Sequence, residues 1–232
     1  MNPVFAFTPT DRPNAEITDT SVRFPVRRIF CVGRNYGKHV REMGGDPALD
    51  LPIFFTKPAD ALVNSGVGSG RSIAYPLATT ELHHEVELVV AIAKTLHQAS
   101  PEQANAAIFG YAVGVDLTRR DLQRHAKNNG LPWDSAKAFD QSAPMGPITR
   151  NLAHPLTGAI ELRVNGQIRQ QGQLAHMIWS VPQLLGHLSA LFTLQAGDLV
   201  FTGTPNGVGP LQVGDTVLGQ IDGLSSVEFT II

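Results

Sequence analysis

The sequence predicts a β-rich α+β fold, and three observations carry that expectation. Strand-like segments do not alternate regularly with helical ones, so a doubly wound parallel sheet fits poorly. From residue 158 onward the chain is mostly short strand-like segments separated by glycine turns. Few stretches carry helical periodicity, and SVPQLLGHLSALFTL is the best amphipathic one.

The first two dozen residues are rich in Pro, Thr, Asn and Asp and show little periodicity. Residues 1–25 therefore read as an N-terminal arm or poorly ordered lead-in. RRIFCVGRN begins the structure proper with a short strand, Ile29 to Val32, ending at Gly33. YGKHVREMG has helix character and is stopped by Gly44, Gly45 and Pro47. PIFFTKP is a second strand, VNSGVGSGRSI a glycine-rich loop, and EVELVVAI a strand running into the core. PEQANAAIFGYAVG starts with Pro101 and carries alanines at helical positions, which predicts a helix leading into YAVGVD. TRRDLQRHAKNNG predicts a short helix ended by Gly130. IELRVNG and QIRQQG pair as a hairpin about Asn165-Gly166, and DLVFTGTP, DTVLGQI and SVEFTII supply the last strands. Residues 26–232 are expected to form a single domain.

Composition narrows the function. The 232 residues are 43% hydrophobic and 16% charged, enough to bury a substantial core. A net charge of -2 and a pI near 6.4 offer no basic surface to track a nucleic-acid backbone. A lone Cys31 excludes an internal disulfide framework and a cysteine-only metal site. MNPVFAFTPTDRP lacks the pattern of a signal peptide, and no apolar run approaches the roughly 20 residues of a membrane helix. A cytoplasmic protein with no nucleic-acid or membrane partner is expected.

Four stretches carry candidate chemistry. In TTELHHEVELVVAI, Glu85 and Glu87 are two apart and leave the same face of a strand, with His83 alongside if the strand extends back that far. Asp116 ends a second apolar segment. Three carboxylates at strand ends suit a hard divalent cation, magnesium or manganese. The alternatives are solvent-facing glutamates with Asp116 as a helix N-cap, or zinc through His83 or His84. In GRNYGKHVREMG, His39 and Glu42 are three apart, so a helix would let the carboxylate orient the imidazole for general-base work. The same pair could simply face solvent. Lys137 in SAKAFD could neutralise an anionic substrate or an oxyanion, or be an ordinary surface lysine. TGTPNGVG lacks the P-loop pattern; its backbone N–H groups and threonines could hold a carboxylate, or the stretch could be a plain turn.

Taken together, these stretches resemble the fumarylacetoacetate hydrolase family. The order G-R-N-Y-x-x-H-x-x-E, K-P, E-x-E, D, K and T-G-T-P-x-G-V-G appears as Gly33–Glu42, Lys57-Pro58, Glu85/Glu87, Asp116, Lys137 and Thr202–Gly209. The resemblance runs from about residue 26 to the C-terminus. It implies a mixed-sheet, barrel-like fold over a catalytic domain 26–232, a homodimer, and Mg2+ or Mn2+ bound by Glu85, Glu87 and Asp116. His39 and Glu42 resemble the acylpyruvase branch, where their short helix acts as a lid, and HHEVELVVAI and KPADALV are most similar to its fumarylpyruvate-cleaving members.

The implied reaction is hydrolysis of the C–C bond of a 2,4-dioxo acid. His39 and Glu42 would activate water, and Lys137 and Gln123 would hold substrate oxygens, with Arg34, Lys57 and Thr204 as further contacts. Arg41 and Arg120 are each placed to meet a distal carboxylate or face solvent. Oxaloacetate decarboxylation and isomerisation of a hydroxy-diene-dioate are the alternatives on the same metal site. One departure stands out. Leu174 occupies the place near which the family often carries a threonine, while Gln170 keeps the glutamine.

Overall fold

A computed structural model describes residues 5–8, 10–37, 51–150, 152 and 156–232. The helix expected over YGKHVREMG, with His39, Arg41 and Glu42, lies outside the described residues.

The chain opens with β1 (Asn14–Glu16) and β2 (Arg23–Pro25), an antiparallel hairpin. The lead-in is thus not unstructured: Ala15, Ile17 and Phe24 are apolar residues buried against the main sheet. Next come β3 (Arg28–Gly33), β4 (Ile53–Lys57), β5 (Leu62–Asn64), β6 (Ser72–Ile73), β7 (Leu82–His84) and β8 (Val86–Ile92). Helix α1 (Pro101–Ala106) is started by Pro101 and by a capping box, in which Ser100 N–H donates to Gln103 Oε1 at 2.8 Å.

The helix stops there, earlier than its alanines suggest. Ile108–Val115 is β9, a strand rather than a helical continuation. Gly110 and Gly114 explain the difference: a Cβ would meet Thr149 O at 2.5 Å and the Phe201 ring at 2.5 Å, respectively. These glycines serve close strand packing, which local propensity does not report.

β10 (Thr118–Arg119), α2 (Arg120–Asn129) and α3 (Asp134–Lys137) follow, with α2 closed by Gly130 at φ 63°. Then come β11 (Ala143–Met145) and the expected hairpin of β12 (Ala159–Val164) and β13 (Gln167–Gln173). Asn165 and Gly166 both have positive φ, 51° and 77°, as a tight two-residue hairpin turn requires. α4 (Val181–Leu191), β14 (Asp198–Phe201), β15 (Gly209–Leu211), β16 (Thr216–Ile221) and β17 (Val227–Ile231) complete the chain.

The strands form a curled, half-barrel mixed sheet of seven, ordered β4-β3-β14-β8-β9-β11-β5, and a second sheet of five, β13-β12-β16-β17-β6. A three-stranded sheet, β10-β7-β15, lies where the chain enters β8. Val86, Leu88, Val90 and Ile92 of β8 point into the larger core with Ile160, Leu162 and Val217 of the second sheet. Val89 and Ala91 point the other way, onto Ile29, Cys31, Phe201 and the first hairpin. β8 is therefore buried on both faces, which is why it reads as a continuous apolar run. Among the described residues, no helix is long and apolar enough to cross a membrane.

Candidate metal centre

The site forms where the chain passes from one sheet to another. Glu85 is not inside a strand: β7 ends at His84 and pairs with β10 and β15, whereas β8 starts at Val86 in the large sheet. Glu87 lies within β8 opposite Gly114, and Asp116 follows β9 directly. The Asp116 N–H donates to Glu85 O at 2.8 Å, which locks the ends of β8 and β9 together. One carboxylate oxygen from each of Glu85, Glu87 and Asp116 lies within 4.8 Å of the others, and all three residues are buried. Solvent-facing glutamates and an aspartate cap are thereby ruled out, since the residue preceding α2 is Arg119.

Cations surround part of this cluster. Lys137, the last residue of α3, donates from Nζ to Glu85 Oε2 at 2.9 Å, Asp116 Oδ2 at 2.6 Å and Thr118 Oγ1 at 2.6 Å. Burial alone would lower the Lys137 pKa, but Asp116 and Glu85 outweigh it and hold the ammonium above its ordinary value. Lys57 Nζ stands 2.8 Å from Asp116 Oδ1 and donates to the Leu117 carbonyl at 3.1 Å and to the Lys137 carbonyl. Arg120 pairs with Glu85 Oε1 and also donates to Gln123 Oε1 and, at 3.3 Å, to His83 Nδ1.

Two features mark where a further cation fits. Glu87 has no cation in salt-bridge contact among the described residues; it accepts the Gly203 N–H at 2.7 Å. Burial first, then repulsion by Asp116 and Glu85, pushes its pKa well above the ordinary carboxylate value. Asp116 Oδ1, though close to Lys57, is not aligned with it for a hydrogen bond and has no other partner among the described residues. An all-oxygen donor set with an uncompensated carboxylate and an orphaned oxygen suits a hard divalent cation.

The histidines are occupied otherwise. His84 Nδ1 donates to Gln170 Oε1 at 2.9 Å, and Gln170 Nε2 donates to Thr204 Oγ1 at 2.8 Å and Pro205 O at 3.0 Å. Burial, then the Arg120 charge, lowers the His83 pKa to about 4, so the ring is neutral and accepts from Arg120. Neither belongs to the carboxylate cluster, and the zinc alternative falls.

A cleft of about 40 Å³ opens above the carboxylates. Arg34, Gln123, Lys137 and Thr204, all predicted from sequence, line it together with Arg120 and Lys127. Arg34 sits at φ 64°, a left-handed conformation that is strained for a residue with a Cβ. Lys57 does not line the cleft; its ammonium is sealed beneath Asp116, so it supports the cluster instead of meeting substrate. The Thr204 hydroxyl is also committed, donating to Val86 O at 2.8 Å while accepting from Gln170. Sequence reading left Arg120 between substrate and solvent, and the structure places it on Glu85. No local signal announced this pairing, because Glu85 lies 35 residues away in the chain.

A model of the fumarylacetoacetate (FAA) hydrolase C-terminal domain matches residues 28–232. The chain belongs to the fumarylacetoacetate hydrolase family. A fumarylpyruvate hydrolase from Pseudomonas aeruginosa, solved with Mn2+ and pyruvate, superposes with a TM-score of 0.97 at 46% identity, covering 99% of each chain. Oxaloacetate tautomerase YcgM from Escherichia coli (strain K12) is 45% identical over 205 residues, covering 87% of this chain and 91% of that protein. A fumarylpyruvate hydrolase from a Ralstonia species is 39% identical over 187 residues, covering 80% of this chain and 95% of that one. The protein is accordingly a metal-dependent enzyme of this family, with a divalent-cation site and the family's curled sheet.

Proposed function

We propose that this protein hydrolyses the C–C bond of an acylpyruvate, with fumarylpyruvate as substrate and fumarate and pyruvate as products. The observation that carries this reading is the near-complete likeness to a fumarylpyruvate hydrolase holding Mn2+ and pyruvate. Glu85, Glu87 and Asp116 are the residues that would hold Mg2+ or Mn2+. When bound, the cation supplies Lewis-acid stabilisation of negative charge on the 2-oxo acid half of the substrate.

The chain's own residues supply the rest. In this reading His39, with Glu42 as its carboxylate partner, takes a proton from water, whose oxygen attacks the C4 carbonyl. The C3–C4 bond breaks, C4 leaves as the fumarate carboxyl, and its electron pair stays on C3 as an enolate. A proton delivered to C3 completes pyruvate. Lys137 fixes Glu85 and Asp116 and offers positive charge to oxygens in the cleft, and Gln123 lines the same cleft with its amide oxygen held by Arg120. Arg34 lines the same wall. Lys57 and Thr204 act as positioning residues, one under Asp116 and the other between β8 and Gln170.

A second reading is keto–enol conversion of oxaloacetate, favoured by the similarity to the Escherichia coli tautomerase. It uses the same 2-oxo acid head and moves a proton at C3 without attack by water. An ultraviolet assay with fumarylpyruvate, acetylpyruvate and oxaloacetate separates the two. Cation-dependent release of fumarate, stopped by EDTA and by His39→Ala, supports hydrolysis. Oxaloacetate interconversion with no cleavage of either dioxo acid overturns it. The assembly proposed is a homodimer, tested by light scattering on the eluting protein.

A further inference from the structure

We propose that Lys127 is a specificity-determining residue, whose ammonium binds a second carboxylate at the far end of an elongated 2-oxo diacid. The proposal rests on the acylpyruvate reading for the head of the substrate and adds what the tail must carry.

The argument starts from one helix face. Arg120, Gln123 and Lys127 are at positions i, i+3 and i+7 of α2, and all three line the cleft. Such spacing puts them in one row, with about 10 Å of helix between the first and the last. The near end of the row is tied to the carboxylate cluster, because Arg120 is paired with Glu85 and holds Gln123. The Lys127 ammonium, at the far end, forms no hydrogen bond or ion pair with any described residue.

Its surroundings are unfavourable for a lone cation. Burial, then the charges of Arg34 and Arg120, lowers the Lys127 pKa, with Glu85, among the described residues, acting the other way. A half-buried ammonium facing two guanidiniums is relieved by an incoming anion. The Phe55–Trp133 pair, with ring centroids 5.8 Å apart, forms an apolar wall of the same cleft. That wall offers an apolar surface to the carbon chain joining two acid groups. The row therefore matches a diacid whose carboxylates are separated by several carbons. Oxaloacetate is too short: with its 2-oxo acid head at the carboxylate cluster, its other carboxylate stays at the Arg120 end. A cavity of about 440 Å³ adjoins the same two rings, but the lysine lining it among the described residues is Lys137, already engaged by Glu85 and Asp116.

The test is calorimetric binding to the Mn2+-loaded protein, using ligands that cannot be cleaved between C3 and C4. 2-Oxoheptanedioate and 2-oxoheptanoate share length and head and differ only in the distal carboxylate. The wild type is expected to bind the diacid about tenfold more tightly, as one charge-assisted hydrogen bond allows. Lys127→Met should erase that preference by weakening the diacid alone, leaving the monoacid and oxaloacetate unchanged, and Lys127→Arg should restore most of it. A preference that survives Lys127→Met, or none in the wild type, overturns the proposal. Fumarylpyruvate left uncleaved by a protein that still shows the Lys127-dependent preference would sink the hydrolase reading and keep this one.

Discussion

Gly203 donates its backbone N–H to the carboxylate of Glu87 at 2.7 Å, and it does so at φ 96°, which few side chains tolerate. A Cβ there would stand 2.8 Å from the Asn35 Cβ, and Asn35 is itself held by Trp179 N–H and the Thr202 carbonyl. The Gly-Thr-Pro loop is therefore tied to the metal site through one glycine.

Gly203→Ala should cost about 1–3 kcal/mol of stability, from the positive φ and the close contact together. Urea unfolding measures the loss, and calorimetric Mn2+ titration should show weakened cation affinity in the same variant. Unchanged affinity would mean that the Gly203 N–H does not position Glu87.

Divalent cation should stabilise the protein by mass action. At a free concentration about a hundredfold above Kd the gain is about 2.7 kcal/mol, roughly 5–10 °C in Tm for a chain of this length. EDTA reverses it, and Glu87→Ala should abolish the shift. A variant that retains the full shift would place the cation elsewhere.

Lys57→Met removes a fully buried ammonium from beside Asp116. The aspartate then loses one of its two ammonium partners, and the Leu117 and Lys137 carbonyls lose their donor. A loss of about 3–5 kcal/mol is expected in denaturant unfolding. A variant as stable as the wild type would show that Lys137 alone suffices to balance Asp116.

Asp121 sets an acid limit. Burial would raise its pKa, but hydrogen bonds from Thr79 Oγ1 at 2.6 Å, Leu122 N–H and Thr80 N–H outweigh it and hold the carboxyl below its ordinary value. The unfolded chain, with an aspartate near pKa about 3.9, binds the proton first as pH falls. Its stabilising contribution is complete above that value and disappears as pH drops through the lower, folded pKa. The Tm difference between wild type and Asp121→Asn should therefore shrink as pH falls below about 3.9. A constant difference would assign the effect to geometry instead of charge.

What could be read from the chain beforehand was mostly local. The Asn165-Gly166 turn, the helix start at Pro101 and the apolar run of β8 each announce themselves within a few residues. The carboxylate triad was legible from the spacing of its members and the family order of motifs, although Glu85 sits in the break between β7 and β8 instead of on the strand face that E-x-E suggests. Three things were hidden for one reason, namely that they depend on partners far along the chain. Gly110 and Gly114 look neutral in a helix until Thr149 and Phe201 are known to press on them. Lys57 looks like a substrate contact until Asp116 and Leu117 enclose it. Ala15 and Phe24 look like part of an arm until the second face of the large sheet needs covering.

The position of β14 has a consequence for synthesis. It lies between β3, to which it is parallel, and β8, to which it is antiparallel, so the two sides of the large sheet have no direct edge in common. On the ribosome, the β3–β4 pair and the β8–β9 pair must wait as separate pieces until residues 198–201 emerge to join them. The same late segment leads straight into Thr202 and Gly203, so the step that unites the sheet also delivers the last contact to Glu87. Assembly of the metal centre is thus deferred until the β14 segment has been made, and the growing chain carries open strand edges until then.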